Sequence, residues 1–193
     1  IEEVEGSLDR LNGLLRQERG DLKIKPEDFI TWSSSSRFYP LLYMMSRTMH
    51  TRDLGNGIEL KSSLLGKLSG LQVHHIFPKD LLYEHEFEKH DVHQVANFTF
   101  LTQDSNLNIS NTSPEIYFES IQKNFPGVLE SNWIPMDKQL WMTENYPKFL
   151  DARRELLAKA ANEFLDSLFS GTRQHIVKAI PAFVRKNIVK KHG

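Results

Sequence analysis

Two adjacent histidines, His74 and His75, stand in the short apolar run Val73-His74-His75-Ile76-Phe77 and are followed at once by Pro78. Successive side chains of an extended segment point to opposite faces, so the pair sets one imidazole on each side. One ring is then available to bind a metal while the other is free to take a proton. Hydrolysis of a phosphodiester needs that division of labour: an in-line water, a base to deprotonate it, and positive charge at the leaving oxygen. Imidazole suits the base because its ordinary pKa lies near neutrality. Asn106 offers an amide oxygen as a second ligand beside His74. Water and phosphate can fill the other positions of a divalent ion.

The elements that must position these residues read as a compact ββα unit. Residues 71–77 are strand-like, and residues 78–83 are a turn or a single helical turn. The polar, His-rich stretch 84–94 reads as a loop. Residues 97–102 alternate Phe98 and Phe100 with polar neighbours, as a half-buried strand does. A short helix carrying Asn106 and Ile109 is expected to begin at Asp104 or Ser105.

Around this unit the periodicity is helical. Residues 2–18 carry Val4, Leu8, Leu11, Leu14 and Leu15 on one face, with Gly20 as the stop. Lys25-Pro26-Glu27-Asp28-Phe29 reads as a short helix start, and the serines at 33–36 as a connector. Phe38, Leu41, Leu42, Met44, Met45 and Met49 form a helical stripe that reads as core packing rather than a binding face. Residues 53–57 are a turn, and residues 59–68 a helix ending at Gly70. Ser113-Pro114-Glu115 opens a helix with Ile116, Tyr117, Phe118 and Ile121 that stops before Pro126. Trp133 and Trp141 fall in an irregular segment, and residues 148–169 form the longest helix, ending at Gly171. The expected class is α+β, mostly α-helical. Its divisions are an N-terminal helical part (1–70), the ββα unit (71–112), C-terminal helices (113–171) and a basic tail (172–193).

Hydrophobic residues at 39% and charged residues at 25% describe an ordinary soluble globular chain, long enough at 193 residues to bury a core. The absence of Cys excludes disulfides, Cys-type zinc sites and thiol nucleophiles. No apolar run has the length of a membrane span and no signal-peptide pattern opens the chain, so a cytoplasmic protein without membrane attachment is expected. The start at Ile1 reads as the C-terminal part of something larger. There is no Gly-rich phosphate loop to bind ATP or GTP. The formal net charge is −1, but the 24 basic residues are unevenly placed. Arg173, Lys178, Arg185, Lys186, Lys190 and Lys191 lie in residues 172–193 without an acid, a tail able to hold a phosphate backbone or to be merely a solvated end.

The motif resembles the His-Asn-His (HNH, ββα-metal) nucleases. In that family a metal-binding residue precedes the catalytic His, which precedes a hydrophobic-x-Pro sequence; His74 and His75-Ile76-Phe77-Pro78 match it. The middle Asn opens the second strand, as in Asn97-Phe98-Thr99-Phe100-Leu101. The last position lies on the following helix, where Asn106 stands nine residues on. Val95-Ala96-Asn97-Phe98-Thr99-Phe100-Leu101-Thr102, Ser113-Pro114-Glu115-Ile116-Tyr117 and Phe149-Leu150-Asp151-Ala152-Arg153-Arg154-Glu155-Leu156-Leu157 narrow the likeness. They are similar to the C-terminal nuclease domains of GmrSD-type, modification-dependent restriction systems, with which the resemblance spans roughly residues 38–170.

The resemblance implies a DNA endonuclease domain of a bacterial restriction or anti-phage defence protein. His75 would be the general base, His74 and Asn106 metal ligands, and Asn97 the structural residue that orients His75. With Asn at the last position, Mg²⁺ or Mn²⁺ is expected over Zn²⁺, since hard oxygen donors suit them. The basic residue that many relatives carry after the last motif position is missing here. Phosphate charge is then left to Lys79, Lys123 or the tail residues Arg173, Lys178, Arg185 and Lys186. A ParB-like nucleotide-hydrolysing domain would precede this region, and a double-strand break would need a homodimer or two successive nicks. RNA remains open beside DNA as substrate.

His85, His90 and His93 lie between the two halves of the motif. Their spacing with Glu88 and Asp91 is not diagnostic of zinc, and they read as surface-loop histidines, with Asp91 a candidate partner for a motif histidine. Trp133 and Trp141 read as core rather than as base-stacking platforms. The rival function is a nucleic-acid-binding module with a vestigial nuclease site.

Overall fold

Phe38, Leu41, Leu42 and Met45 share one face of helix α1 (Phe38–Thr48), and all four are buried, while Met44 on the other face is exposed. The computed structural model describes residues 23–30, 38–61 and 70–179. Within them the fold is mostly helical and carries one two-stranded sheet. The expected helix 2–18, the serine connector at 33–36, most of the expected helix 59–68, and Arg185 and Lys186 lie outside the described residues. Arg173 and Lys178 fall on the last turns of the final helix, beyond the described side chains. The start of the expected helix at 59 is corrected: Glu59 pairs with Arg52 in an isolated antiparallel bridge, which closes the turn that follows Asp53.

The sheet pairs β1 (Gln72–His75) antiparallel with β2 (Phe98–Leu101), in a register that sets His74 opposite Thr99 and His75 opposite Phe98. Between the strands the chain does not run as a loop. It forms α2 (Lys79–Glu84), α3 (Lys89–Val92) and a 3₁₀ turn at Val95–Asn97. The polar stretch folds this way because Leu82, Val92 and Val95, though few, are all buried in the core. Helix α4 (Gln103–Ile109) follows β2 directly and completes the ββα unit.

A second layer closes over the sheet. It consists of α5 (Pro114–Asn124), the short α6 (Val128–Ser131), 3₁₀ turns at Lys138–Trp141 and Thr143–Asn145, and α7 (Tyr146–Ala179). Trp141 is buried edge-on against Phe118, so its core role holds. The long helix does not stop at Gly171. One interior glycine costs a helix only about 1 kcal/mol, which flanking helix-compatible residues absorb. From α7, Tyr146 and Phe149 pack on Phe77 with centroids 5.0 and 4.8 Å away, anchoring the segment that follows the two histidines.

Arg153 is the unexpected member of this core. Its guanidinium is fully buried and donates to the carbonyl oxygens of Ala96 (2.6 Å), Phe98 (2.8 Å) and Asn132 (3.2 Å). Burial lowers its pKa to about 9, so the group remains charged at neutral pH. The planar fork of arginine fits such a three-way clamp, which ties α7 to the start of β2 and the end of α6. Asn132 extends the clamp by accepting from the Thr99 hydroxyl (2.7 Å) and donating to Arg52 O and Val128 O.

Candidate functional site

The alternation of β1 divides the two histidines as its period requires. His74 is turned inward and is 5% exposed; His75 is half-buried on the other face. The His74 Nδ1 lies 2.9 Å from Asn106 Oδ1, across from the middle of α4. Its ring meets Tyr117 edge-on, and the Tyr117 hydroxyl donates to Ile76 O at 2.9 Å. Burial lowers the pKa of His74, opposed by the Asn106 hydrogen bond and the charge of Asp53. The ring is therefore neutral, the state a metal ligand must have.

The 2.9 Å between His74 Nδ1 and Asn106 Oδ1 is a hydrogen bond in which the ring N–H donates to the amide oxygen; with that proton moved to Nε2, the same two atoms would be the pair to hold a divalent ion. An imidazole nitrogen and an amide oxygen, with water and phosphate completing the shell, suit a hard divalent ion. The other ring nitrogen, Nε2, is buried without a partner among the described residues, so Nδ1 is the side of the ring that faces Asn106. Among the described residues no group of three or more His, Cys, Asp or Glu side chains is placed to hold a metal. His85, His90, His93, Asp91 and Glu88 thus form no zinc cluster among them.

Asn97 is fully buried, and the three hydrogen bonds of its amide are all made to backbone. Its Oδ1 accepts from Phe77 N (2.9 Å), and its Nδ2 donates to Phe77 O (3.1 Å) and Val92 O (3.0 Å). Its own carbonyl accepts from Ile76 N at 2.8 Å. It stands in the 3₁₀ turn just before β2 rather than as the first strand residue. Three of these bonds fix the chain immediately after His75, and the fourth ties it to the end of α3.

Asp53, read from sequence only as a turn residue, holds the other half of the site. One carboxylate oxygen accepts from Gly55 N and Asn56 N; the second accepts from Thr102 N at 2.7 Å, the residue that caps α4. The turn must carry glycine at 55, because a Cβ there would lie 2.6 Å from Ser105 Oγ. This close approach fixes the first turn of the helix bearing Asn106. An Asp-x-Gly-Asn turn signals the bend, and nothing local signals its long-range partner.

His75 is held between two rings: Phe98 edge-on at 4.7 Å between centroids, and His93 at 5.2 Å. Its Nε2 is 3.2 Å from His93 Nδ1, and the Tyr83 hydroxyl is 3.2 Å from His93 Nε2. His93 stands half-exposed in the turn after α3 and reaches His75, a contact the sequence does not signal, whereas His85 and His90 are exposed as expected. Asp91 does not reach a motif histidine; its carboxylate contacts Gln94 and His90. Burial, then the neighbouring His93, Lys79 and His74, push the His75 pKa down to about 3. Lys79, exposed at the start of α2, is a positive charge that lowers the pKa of both His75 and His93. Lys123 is exposed toward the far end of α5, past Tyr117.

These shifts predict an acid-sensitive fold. Native His75 stays neutral down to about pH 3, whereas the unfolded side chain takes a proton near its ordinary 6.5. The unfolded chain binds more protons in that window, so stability falls as pH drops from 6.5 toward 3. Each such histidine contributes a slope of about 1.4 kcal/mol per pH unit. Urea midpoints measured from pH 7 to 5 should fall with a visibly shallower slope in a His75→Gln protein; equal slopes would rule His75 out as the source.

Neither protein-family models, nor curated proteins, nor solved structures match this chain.

Proposed function

We propose that this chain is a metal-dependent endonuclease domain that hydrolyses DNA phosphodiesters, a part of a bacterial defence system against foreign DNA. The observation that carries the reading is the pairing of His74 Nδ1 with Asn106 Oδ1 at 2.9 Å, on the opposite face of β1 from a neutral, half-buried His75. A divalent ion bound by that pair would supply positive charge at the phosphate and at the departing 3′ oxygen.

The protein residues perform the rest. His75 takes the proton of the attacking water with a ring that is neutral at pH 7; the burial and cations that lower its pKa to about 3 weaken it as a base, and the negative phosphate beside it would offset that. Asn97 keeps the chain after His75 in place, and Asp53 keeps the helix of Asn106 in place, so the two sides of the site hold their separation. Lys79 is the cation best sited to meet a phosphate beside His75. Attack on phosphorus with loss of the 3′ oxygen leaves a 5′ phosphate and a 3′ hydroxyl. One site cuts one strand.

Supercoiled plasmid incubated with the protein should be nicked in the presence of Mg²⁺ or Mn²⁺, and EDTA should stop the reaction. Salt-sensitive DNA binding without nicking under either metal would defeat the enzyme reading and leave a binding module. Among the described residues no helix is long and apolar enough to cross a membrane.

A further inference from the structure

A general base needs an accessible lone pair, and a neutral imidazole has only one. The contacts of His75 decide which nitrogen carries it. Nε2 is engaged by His93 Nδ1 at 3.2 Å. Among the described residues nothing hydrogen-bonds to Nδ1, and it is not one of their buried unpartnered polar atoms. Solvent therefore reaches Nδ1, and Nδ1 is the nitrogen that a water beside a phosphate can approach.

The chain His75–His93–Tyr83 can run in two directions. In one, the Tyr83 hydroxyl donates to His93 Nε2, and His93 Nδ1–H donates to His75 Nε2. That direction occupies the lone pair of His75 and places its proton on the solvent side, where it blocks proton uptake. In the other, His75 Nε2–H donates to His93 Nδ1, and His93 Nε2–H donates to the Tyr83 oxygen. That direction leaves His75 Nδ1 bare. It also places the proton of each ring on Nε2, the form that neutral imidazole side chains favour in water. His93 is kept uncharged by burial and by the nearby cations Lys79 and Lys89, so its Nδ1 can accept.

We propose that His93, backed by Tyr83, is the positioning residue that holds His75 with its proton on Nε2 and its bare Nδ1 toward substrate. The role rests on the nuclease reading, because only a proton-accepting His75 gives the tautomer a consequence. His93 lies 18 residues from His75 and reaches it because α3 and the following turn carry it back over the end of β1. It makes His75 a supported base, in the way that outer partners set the tautomer of other functional histidines.

Nitrogen-15 NMR of the histidines in the full 193-residue chain, read alongside plasmid nicking, tests this. The wild-type His75 should show a protonated Nε2 and a bare Nδ1. His93→Ala should mix the two tautomers and lower kcat by roughly 10- to 100-fold, the range for losing such a partner, with KM for DNA within about twofold. His93→Asn, whose side-chain oxygen stands near the Nδ1 position, should restore both the tautomer and most of kcat. Tyr83 is exposed, so Tyr83→Phe tests the outer link without disturbing the core, and a kcat loss of a few fold is expected. A nicking protein whose His75 carries its proton on Nδ1, or whose tautomer is unchanged in His93→Ala, overturns the proposal while sparing the nuclease reading. The expected tautomer in a chain that nicks no DNA with any metal overturns the nuclease reading, and the catalytic consequence of His93 with it.

Discussion

A His75→Ala protein is expected to lose metal-dependent nicking by about two to four orders of magnitude, the usual contribution of a positioned general base. The substitution should leave DNA affinity and the thermal midpoint nearly unchanged, because the side chain of His75 is half-buried and the bonds that fix the chain after it are made by Ile76 and Phe77 to Asn97. His74→Ala should abolish nicking by a different route. It removes the nitrogen paired with Asn106 Oδ1, so activity should recover in part as Mn²⁺ is raised, whereas no metal concentration rescues His75→Ala. The discriminating measurement is kcat against metal concentration for the two variants on one plasmid substrate. Undiminished cutting by His75→Ala would remove the base from the mechanism, and identical metal curves would remove the division of labour between the two rings.

That the two rings face opposite sides was legible in the sequence because it follows from strand periodicity: adjacent residues of β1 must alternate. The helix of Asn106 and the buried face of α1 were legible for the same reason. Partners were not. His93, Asp53 and Arg153 reach their contacts across 18, 49 and more than 50 residues. Periodicity shows which face a side chain occupies but not what stands opposite it. Arg153 illustrates the limit, since a charged residue among Asp151, Arg154 and Glu155 reads as a solvated helix face. Only the three carbonyls presented by the turn before β2, β2 itself and the end of α6 explain its burial. The stretch 84–94 misled for a related reason. Its polar composition describes its outer surface, while its fold is set by Leu82 before it, Val92 within it and Val95 after it. The interior glycine at 171 gave too strong a stop signal, since its cost is small beside the cooperativity of a long helix.

Asn97→Ala should be the most destabilising single change in the ββα unit, by about 3 to 5 kcal/mol, read as a lowered urea midpoint with an unchanged m-value. The amide is fully buried and satisfies one backbone N–H and two carbonyls that no other group reaches into: Phe77 N, Phe77 O and Val92 O. Each such group left unpaired in the core costs about 1 to 3 kcal/mol, which is why the loss exceeds that of an ordinary side-chain truncation. Asn97→Asp sharpens the test because it preserves shape and the acceptor toward Phe77 N, yet turns the donor into a second acceptor facing two carbonyl oxygens. It should therefore be at least as destabilising as alanine at pH 7 and partly recover in acid, where a protonated carboxyl can donate again. A loss below about 1 kcal/mol for Asn97→Ala would mean that the amide is replaceable by water. The turn after His75 would then owe its shape to the packing of Phe77 against Tyr146 and Phe149. With the expected loss, Asn97 is explained by the backbone it holds: it is the bracket that keeps the chain after His75 in place.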